Sequence, residues 1–391
     1  MSNASKREYL QEIRPRYLNA SKRVKRIILD EFCRVCGYNR KYAIRVLNAR
    51  SEPGRSRESQ RPGRRPQYQD PALRDALVFL WKAGNLPCGK RLKAMIPLWL
   101  PYYPKPLTDE VKHLLMTIAA ATIDRLLRPL RPRYNKYGLA TTKPGSLIKK
   151  HIPIKTHQWD EHIPGFLEAD TVAHCGSSTA GTYALTVNMV DIVTSWTEQR
   201  AIWGKGEAGV LEAAISIEHA LPFRLRGFDS DNGAEFINWP LLKHFTERSR
   251  PVQYTRSREY KKNDNAHIEG KNWTIVRQYL GYERFDDPRI VPLMNDLYTT
   301  EWRLLLNFFM PSMKLIEKRR VKSKIIKRHD PPATPLARVL ASPHVNPHTK
   351  RQLTLLNNEL NPFDLQQSVT AKIKRILKLA TVPSRGERKA S

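Results

Sequence analysis

The 391-residue sequence predicts a mixed α/β core that is flanked on both sides by basic, mainly helical segments. Two observations support this prediction. After Pro164 the hydrophobic periodicity changes from a helical to a strand pattern, and strands then alternate with helices. The charge is also uneven: residues 1–150 carry 33 Lys and Arg against 11 Asp and Glu, whereas residues 151–250 carry 8 against 13. We therefore expect a carboxylate-rich middle domain between flanks that bind a polyanion.

The composition excludes several classes of protein. A formal net charge of +31 and a pI near 10.1 are typical of nucleic-acid-binding proteins and disfavour a small-molecule enzyme. Four cysteines exclude a disulfide-built secreted scaffold and favour a reducing compartment. No apolar run approaches the ~18 residues of a membrane span, and residues 1–9 are too polar for a secretory signal. We predict a cytoplasmic, nucleoid-associated protein with no membrane partner and no small-molecule substrate.

Residues 1–50 predict a helix-turn-helix DNA-binding module. Between 20 and 49, apolar residues recur at helical spacing on both sides of Gly37, which breaks the pattern. The second helix places basic residues opposite its apolar face, and we predict that three of them contact DNA: Arg40, Lys41 and Arg45. The alternative is a small helical bundle with a solvated basic face.

Residues 51–70 form a linker that is predicted to be flexible, because basic residues alternate there with Pro and Gly. Such a segment cannot bury a core. Its sequence is similar to arginine-rich arms that follow the minor groove of DNA. We therefore predict DNA contacts by Arg61, Arg64 and Arg65.

Residues 71–135 predict a second helical DNA-binding module. Its recognition helix is expected over 117–129, where one apolar stripe leaves Arg125 and Arg128 free to face outward. The alternative is a helical spacer. Residues 136–163 are predicted to connect this module to the core.

The core is predicted for residues 164–310. Its segments are, in order, strands at 165–175, 182–190 and 195–203, a helix at 207–220, a strand at 223–228, a helix at 234–247, a strand at 252–256 and a long helix over 265–282. Three strands joined by short turns, followed by alternation, predict a mixed sheet with helices packed on it. One more amphipathic helix is expected over 287–308, and residues 311–391 predict a basic helical C-terminal region.

Acidic residues occur at three places that this topology can bring together. Asp170 lies in the first strand, Asp231 follows the fourth strand, and Glu269 lies near the start of the long helix. Clustered carboxylates repel one another unless a cation neutralises them, and Mg²⁺ prefers such oxygen ligands. Two ions roughly 3.5–4 Å apart can stabilise the attacking and the leaving oxygen of an in-line phosphoryl displacement.

Three motifs around these acids resemble those of a known family. Glu-Ala-Asp at 168–170, Asp-Asn-Gly-Ala-Glu-Phe at 231–236 and Asn-Asp-Asn-Ala-His-Ile-Glu at 263–269 look like the D-D-E core of retroviral-type integrases and bacterial insertion-sequence transposases. The resemblance covers about 165–310. Because the N-terminal region lacks the His-His-Cys-Cys zinc module of retroviral integrases, the resemblance is to the bacterial transposase branch.

The resemblance implies an RNase H-like core and a DNA transposase activity. It implies that Asp170, Asp231 and Glu269 are catalytic and hold two Mg²⁺ ions, for which Mn²⁺ would substitute. Hydrolysis would leave a 3′-hydroxyl at each end of a mobile DNA segment, and that hydroxyl would then attack target DNA. The implied partners are double-stranded DNA, at both the ends and the target, and further copies of this chain. Lys271 is predicted to contact a DNA phosphate.

Two other functions are weighed against this one. The first is a nuclease with the same core, and the second is a non-catalytic DNA-binding protein derived from a transposase. The long basic N-terminal flank argues against the first, and the presence of all three acids argues against the second.

The other acids of the core are expected to have roles other than catalysis or, for one of them, to be an alternative metal ligand. Glu168 shares a strand face with Asp170 and is the alternative ligand there. Asp229 is expected to be structural and Asp191 to stabilise a turn. Glu235 is expected to be solvated on the first turn of a helix.

Overall fold

A computed structural model gives the fold of the chain. It describes residues 2–49, 67–131, 161–231, 233–256, 271–321 and 324–380. The chain divides into two compact units, Met1–Gln67 and Tyr68–Ser391. Four residues of the predicted sites lie outside the described ranges: Arg61, Arg64, Arg65 and Glu269.

The first unit is helical in its described part. Its helices are Asn3–Asn19 (α1), Lys22–Cys36 (α2) and Arg40–Leu47 (α3). Gly37 ends α2 at a φ of 65°, a left-handed conformation that glycine adopts without a Cβ clash. Asn39 caps α3 by accepting a 3.0 Å hydrogen bond from the Lys41 N–H. The two helices thus flank the turn expected at Gly37, and their binding to DNA stays a prediction.

The second unit begins with helices that are joined to its later part by a shared core. They are Pro71–Ala83 (α4), Gly89–Trp99 (α5), Asp109–Thr117 (α6) and Ala120–Leu127 (α7). Leu77 and Trp99 are buried in the same hydrophobic cluster as Trp302. The Trp99 indole donates a 2.9 Å hydrogen bond to the Phe309 carbonyl. The predicted division of this unit near residues 135, 163 and 310 stays a prediction.

The described residues of the second unit contain a five-stranded mixed sheet. Its strands are Phe166–Ala173 (β1), Ala184–Asp191 (β2), Thr197–Trp203 (β3), Gly227–Ser230 (β4) and Gln253–Arg256 (β5). They lie in the order β3-β2-β1-β4-β5. The pairs β1–β2 and β2–β3 are antiparallel, whereas β1–β4 and β4–β5 are parallel. The mixed α/β fold predicted from the sequence is confirmed.

Helices cover both faces of this sheet, which explains why every residue of β2 is buried. Glu207–Ala220 (α8) and Trp239–Thr246 (α9) pack with one face, through residues such as Phe228 and Phe245. The opposite face is covered by a helix that runs from a π-helical segment, Asn272–Arg277, into Gln278–Leu280; we call it α10. It is followed by Ile290–Leu297 (α11).

The chain beyond α11 departs from the prediction in two places. The helix expected over 287–308 continues past α11 as two π-helical segments, Tyr298–Trp302 and Leu305–Phe309. The C-terminal region is not helical throughout, because Leu315–Val321 (β6) and Lys324–His329 (β7) form an antiparallel hairpin. β-Branched residues such as Ile326 are interspersed among the charges here, and they favour strands.

Three helices complete the described chain. They are Pro335–Ala341 (α12), Pro347–Glu359 (α13) and Pro362–Lys378 (α14). Val369 and Ile376 of α14 are buried in the cluster that also contains the N-terminal helices of this unit. No helix in the described ranges is long and apolar enough to cross a membrane.

A buried histidine lies just beyond β1. His174 is fully buried, stacks on Phe285 with ring centroids 4.6 Å apart, and has Nε2 2.9 Å from the Thr186 hydroxyl. Thr186 in turn lies 2.8 Å from the Tyr298 hydroxyl. Burial, and then the positive charge of Arg277, hold the pKa of the His174 imidazole well below its usual value.

We expect this histidine to make stability depend on pH. The folded chain keeps His174 neutral, whereas the unfolded chain protonates it near pH 6.5, so stability falls as the pH drops below that value. The loss is about 1.4 kcal/mol for each pH unit. Urea unfolding between pH 7.5 and 5.5 measures it, and His174→Asn should show a smaller pH dependence than the wild type.

The control for this experiment is His113→Asn, since His113 is exposed. This variant should keep the pH dependence of the wild type. An identical pH dependence in His174→Asn and wild type would contradict the assignment.

Candidate active site

Two of the three predicted carboxylates lie side by side at the centre of the sheet. In the parallel pairing of β1 with β4, Ala169 is opposite Ser230. Asp170 and Asp231 are the next residues on the two chains. Neighbouring strands are about 4.8 Å apart, so the two carboxylates leave the sheet at adjacent positions. Both residues are half-buried, which leaves them partly accessible from solvent.

The helix α10 reaches Asp170 through an asparagine. The Asn272 Nδ2 donates a 2.6 Å hydrogen bond to Asp170 Oδ2, and the Asn272 Oδ1 accepts one of 2.7 Å from Asn188. The other oxygen, Asp170 Oδ1, accepts a 2.7 Å hydrogen bond from the Thr171 N–H. Asn188 is opposite Asp170 in the β1–β2 register. The side-chain hydrogen bonds of Asn272 therefore connect both strands, β1 and β2, to α10.

A fourth acid, Glu235, belongs to this site, and the expectation that it is solvated is wrong. Glu235 is only 5% exposed, and its Oε1 accepts a 2.8 Å hydrogen bond from the Thr171 hydroxyl. A Cβ placed on Gly233 would lie 2.9 Å from Asp231 Oδ1 and 2.9 Å from Glu235 Oε2. Both carboxylates therefore border the space that the absent Gly233 side chain leaves open.

The charge of Glu235 affects the pKa of Asp231. Burial raises the pKa of Asp231, and the negative charge of Glu235 raises it further. A 2.9 Å hydrogen bond from the Gly233 N–H and the charge of Lys205 act in the opposite direction without cancelling the increase. A half-buried and a buried carboxylate that repel each other in this way form a setting that a hard divalent cation would stabilise.

The remaining core acids have structural partners. Asp191 is buried and accepts hydrogen bonds from the Gly165 N–H at 2.7 Å and from the Thr194 N–H at 2.6 Å, so it stabilises a turn as expected. Asp229 is buried and accepts a 2.6 Å hydrogen bond from the Thr255 hydroxyl. Glu168 is also buried, and it is opposite Asp229 in the β1–β4 register.

Lys271, a predicted DNA contact, lies at the start of α10 and is half-buried. Its Nζ is 3.5 Å from the Ser195 carbonyl and 3.4 Å from the Thr197 hydroxyl. Burial, and then the positive charges of Arg91 and Arg338, lower the pKa of the Lys271 amine to about 7. The amine thus lies against the turn between β2 and β3, and its contact with DNA stays a prediction.

Three predicted DNA contacts of the first unit lie on the surface of α3. Lys41 is exposed, and Arg40 is 49% exposed while it pairs with Asp30. The Arg45 guanidinium lies 4.9 Å from the centroid of the Tyr42 ring.

Two further predicted DNA contacts lie in the second unit. Arg125 on α7 and Arg128 just after it are both exposed. The structure therefore leaves the side chains of both residues accessible, and their contact with DNA stays a prediction.

Sequence reasoning placed Asp170 and Asp231 but missed Glu235 and Thr171. A signal for Glu235 is present in the sequence: an Asn-Gly pair follows Asp231, and such a pair allows the chain to turn tightly enough to bring back an acid four residues later. Thr171 has no comparable signal, because its hydrogen bond joins residues 64 positions apart. Within the described ranges, no group of three His, Cys, Asp or Glu side chains is arranged to hold a metal.

Comparisons with solved structures find retroviral integrases at low similarity. The chain aligns with a chain of the simian T-cell lymphotropic virus intasome in complex with PP2A regulatory subunit B56 gamma (TM-score 0.30, 13% identity, 49% of this chain and 62% of that chain). It also aligns with the HTLV-2 integrase catalytic core in complex with magnesium (TM-score 0.28, 14% identity, 38% and 91%). A third alignment is with the BIV integrase catalytic core (TM-score 0.28, 14% identity, 46% and 96%). At TM-scores this low, these similarities carry no argument about fold or function.

Sequence comparison gives a closer relationship. No family model matches the chain. The uncharacterized protein y4rM of Sinorhizobium fredii (strain NBRC 101917 / NGR234) is 38% identical to it over 347 residues, which span 86% of this chain and 96% of y4rM. This identity over nearly the whole of the relative shows that the chain belongs to the same protein family as y4rM.

Proposed function

We propose that this protein is a DNA transposase with an RNase H-like, D-D-E catalytic core. It would cleave DNA at the ends of a mobile segment and transfer each 3′-hydroxyl into target DNA. The observation that carries the proposal is the 2.6 Å hydrogen bond from Asn272 to Asp170, beside Asp231 on the next strand. It joins α10 to the strand carboxylates; Glu269 lies three positions before Asn272 in the sequence, outside the described residues.

The proposed metal site consists of Asp170, Asp231 and Glu269, with two Mg²⁺ ions or Mn²⁺ in their place. The repulsion between Asp231 and Glu235 supports a divalent cation here, because it leaves negative charge that a cation would compensate. When bound, the ions would activate the attacking oxygen and neutralise the leaving oxygen at phosphorus.

The residues around the carboxylates hold them in place for this task. Asn272 and the Thr171 N–H each bond one oxygen of Asp170, so the orientation of this carboxylate is fixed from two sides. The Gly233 N–H does the same for one oxygen of Asp231, and the Thr171 hydroxyl anchors Glu235. Catalytic groups must be held within a fraction of an ångström of the productive geometry, and these contacts supply that support.

The basic surfaces would hold the DNA. A net charge of +31 and the exposure of Lys41, Arg125 and Arg128 support binding of double-stranded DNA at the ends and at the target. Joining two ends in one event requires more than one active site, so we propose that the chain works as a homo-oligomer on DNA. Such a protein would act in the nucleoid.

Product analysis tests this function. The purified protein is incubated with the DNA that flanks its coding region and with a target plasmid, in Mg²⁺ and in Mn²⁺. We expect metal-dependent nicks at the ends and strands joined to the plasmid, and we expect neither from Asp170→Asn. Binding is checked in Ca²⁺.

Each other outcome selects a different function. Nicks without joined strands would replace the transposase with a nuclease. Binding without nicks or joined strands, under all metal conditions, would favour a non-catalytic DNA-binding protein. No binding at all would contradict both the transposase and that alternative.

A further inference from the structure

The hairpin of β6 and β7 is a basic two-stranded ribbon, defined by residues 315–321 and 324–329. These residues include six Lys and Arg against one Glu. Seven residues of strand span about 23 Å at ~3.3 Å per residue. The ribbon is therefore a long, positively charged projection, and none of the predicted DNA contacts lies on it.

The ribbon is exposed on both faces. Ile326 and Lys327 are successive residues of β7, so their side chains point to opposite faces, and both are exposed. On β6, Ile316 is 58% exposed and Val321 is 44% exposed. Among the described residues, no other helix or strand packs extensively against the ribbon. The ribbon thus lacks a covering element among the described residues, and an isolated two-stranded hairpin is at best marginally stable in water.

The charges of the ribbon identify the kind of partner. Basic residues occupy opposite positions of the two strands, as Lys318 and Lys327 do in the register. Arg319 and Arg328 lie on one face of the ribbon, because Arg328 is opposite Glu317, two residues before Arg319. Like charges placed along both strands are stabilised by a polyanion and repel a second copy of the same ribbon.

The base of the ribbon is anchored on the turn between β2 and β3. Just before β6, the Lys314 Nζ donates a 2.7 Å hydrogen bond to the Val193 carbonyl, in the turn between β2 and β3. Lys271, at the start of α10, lies against Ser195 in the same turn. At the other end of the hairpin, Asp330 accepts a 2.9 Å hydrogen bond from Arg338. Both ends of the hairpin are thus held by hydrogen bonds, and the turn that holds the first end also contacts Lys271 at the start of α10.

We propose that this ribbon binds duplex DNA by entering its major groove, with Arg319 and Arg328 contacting phosphates. The major groove of B-DNA, about 12 Å wide, admits a two-stranded β-ribbon. The major groove of duplex RNA is too narrow and deep for side chains to reach. The inference rests on the proposed function only for the choice of DNA as the polyanion. Its consequence is that the second unit has a DNA-binding surface of its own, in addition to the predicted contacts on its helices.

Binding measurements in Ca²⁺ test the ribbon without the chemistry. The ribbon variant is Arg319→Gln with Arg328→Gln. The control is Lys374→Gln with Arg375→Gln, which removes the same charge from exposed positions of α14. Each phosphate contact contributes about 0.9 to the slope of log binding constant against log salt, so we expect the ribbon variant to lose about 1.8. Its binding at low salt should weaken at least about tenfold, and the control should bind like the wild type.

Two further measurements separate the effect of charge from other effects and DNA from RNA. Arg319→Lys with Arg328→Lys keeps both charges and should keep the salt slope of the wild type, so that a loss confined to the Gln variant is due to charge. A duplex RNA of the same length should bind the wild type more weakly than the DNA does, and the ribbon substitutions should change RNA binding less.

Several outcomes overturn the ribbon proposal. Equal salt slopes in the ribbon variant and the control would do so, as would weakened binding to anionic lipid vesicles with unchanged binding to DNA. Failure of the proposed function is a separate result: the wild type would then give no metal-dependent products, whatever the binding data show.

Discussion

Asp231→Asn is expected to abolish both cleavage and joining while duplex binding in Ca²⁺ stays at the level of the wild type. The substitution keeps the size of the side chain and removes a negative charge from the proposed metal site. The DNA contacts lie elsewhere, on basic residues. We expect both reaction rates to fall by at least about 1,000-fold, which corresponds to about 4 kcal/mol in the barrier. Gel analysis of nicked and joined strands measures both steps in one reaction.

The matched control for this experiment is Asp109→Asn. The Asp109 side chain is 99% exposed and pairs only with the neighbouring turn of its own helix, through Lys112. The same chemical change there should leave both rates unchanged. Substantial activity in Asp231→Asn would remove Asp231 from the site, and a loss of DNA binding would mean that it acts through the fold.

Gly233→Ala is expected to reduce activity by roughly 100-fold in a protein that still folds. The new Cβ would meet Asp231 Oδ1 and Glu235 Oε2 at 2.9 Å each, so the two carboxylates must move apart. Displacements of about 1 Å at a catalytic site cost about this much in rate. Gly233 is not in the left-handed region of backbone conformation, so alanine itself is not strained there. Single-turnover rates and the melting curve of the same preparation separate activity from folding.

Gly206→Ala is the control for this substitution. A Cβ at Gly206 has nothing within 4 Å, and the residue precedes α8 on the surface. It should therefore leave the rates unchanged. Wild-type activity in Gly233→Ala would show that the spacing of Asp231 and Glu235 does not matter for the reaction.

The sheet could be predicted from the sequence because its signals are local. The strand pattern around Asp170 and the alternation after residue 203 follow from hydrophobic periodicity, and the structure confirms the mixed sheet. Parallel pairing of β1 with β4 then brings Asp170 and Asp231 together. These two residues were predicted because Asp170 lies within the first strand and Asp231 directly follows the fourth, where the topology could bring them together; their catalytic role stays a prediction.

Other features depend on contacts that no local pattern shows. Glu235 looks like a surface acid in sequence, and only its hydrogen bond to Thr171 brings it into the site. The ribbon lies within residues 311–391, which were predicted as a basic helical region, and its β-branched residues such as Ile326 are scattered among dense charges. There the pairing of two strands decides the structure, and propensity alone does not.

The core around Trp99 has a consequence for how this protein is made. Leu77 and Trp99 come early in the second unit and Ile376 comes near the end of its described part, yet all three are buried in one cluster. Contacts between residues so far apart in sequence close late during folding, because a long loop must be ordered first. The ribosome must therefore synthesise the chain through α14 before this cluster is complete. A gene copy with an early stop codon would yield a product with an exposed apolar surface, which chaperones and proteases recognise.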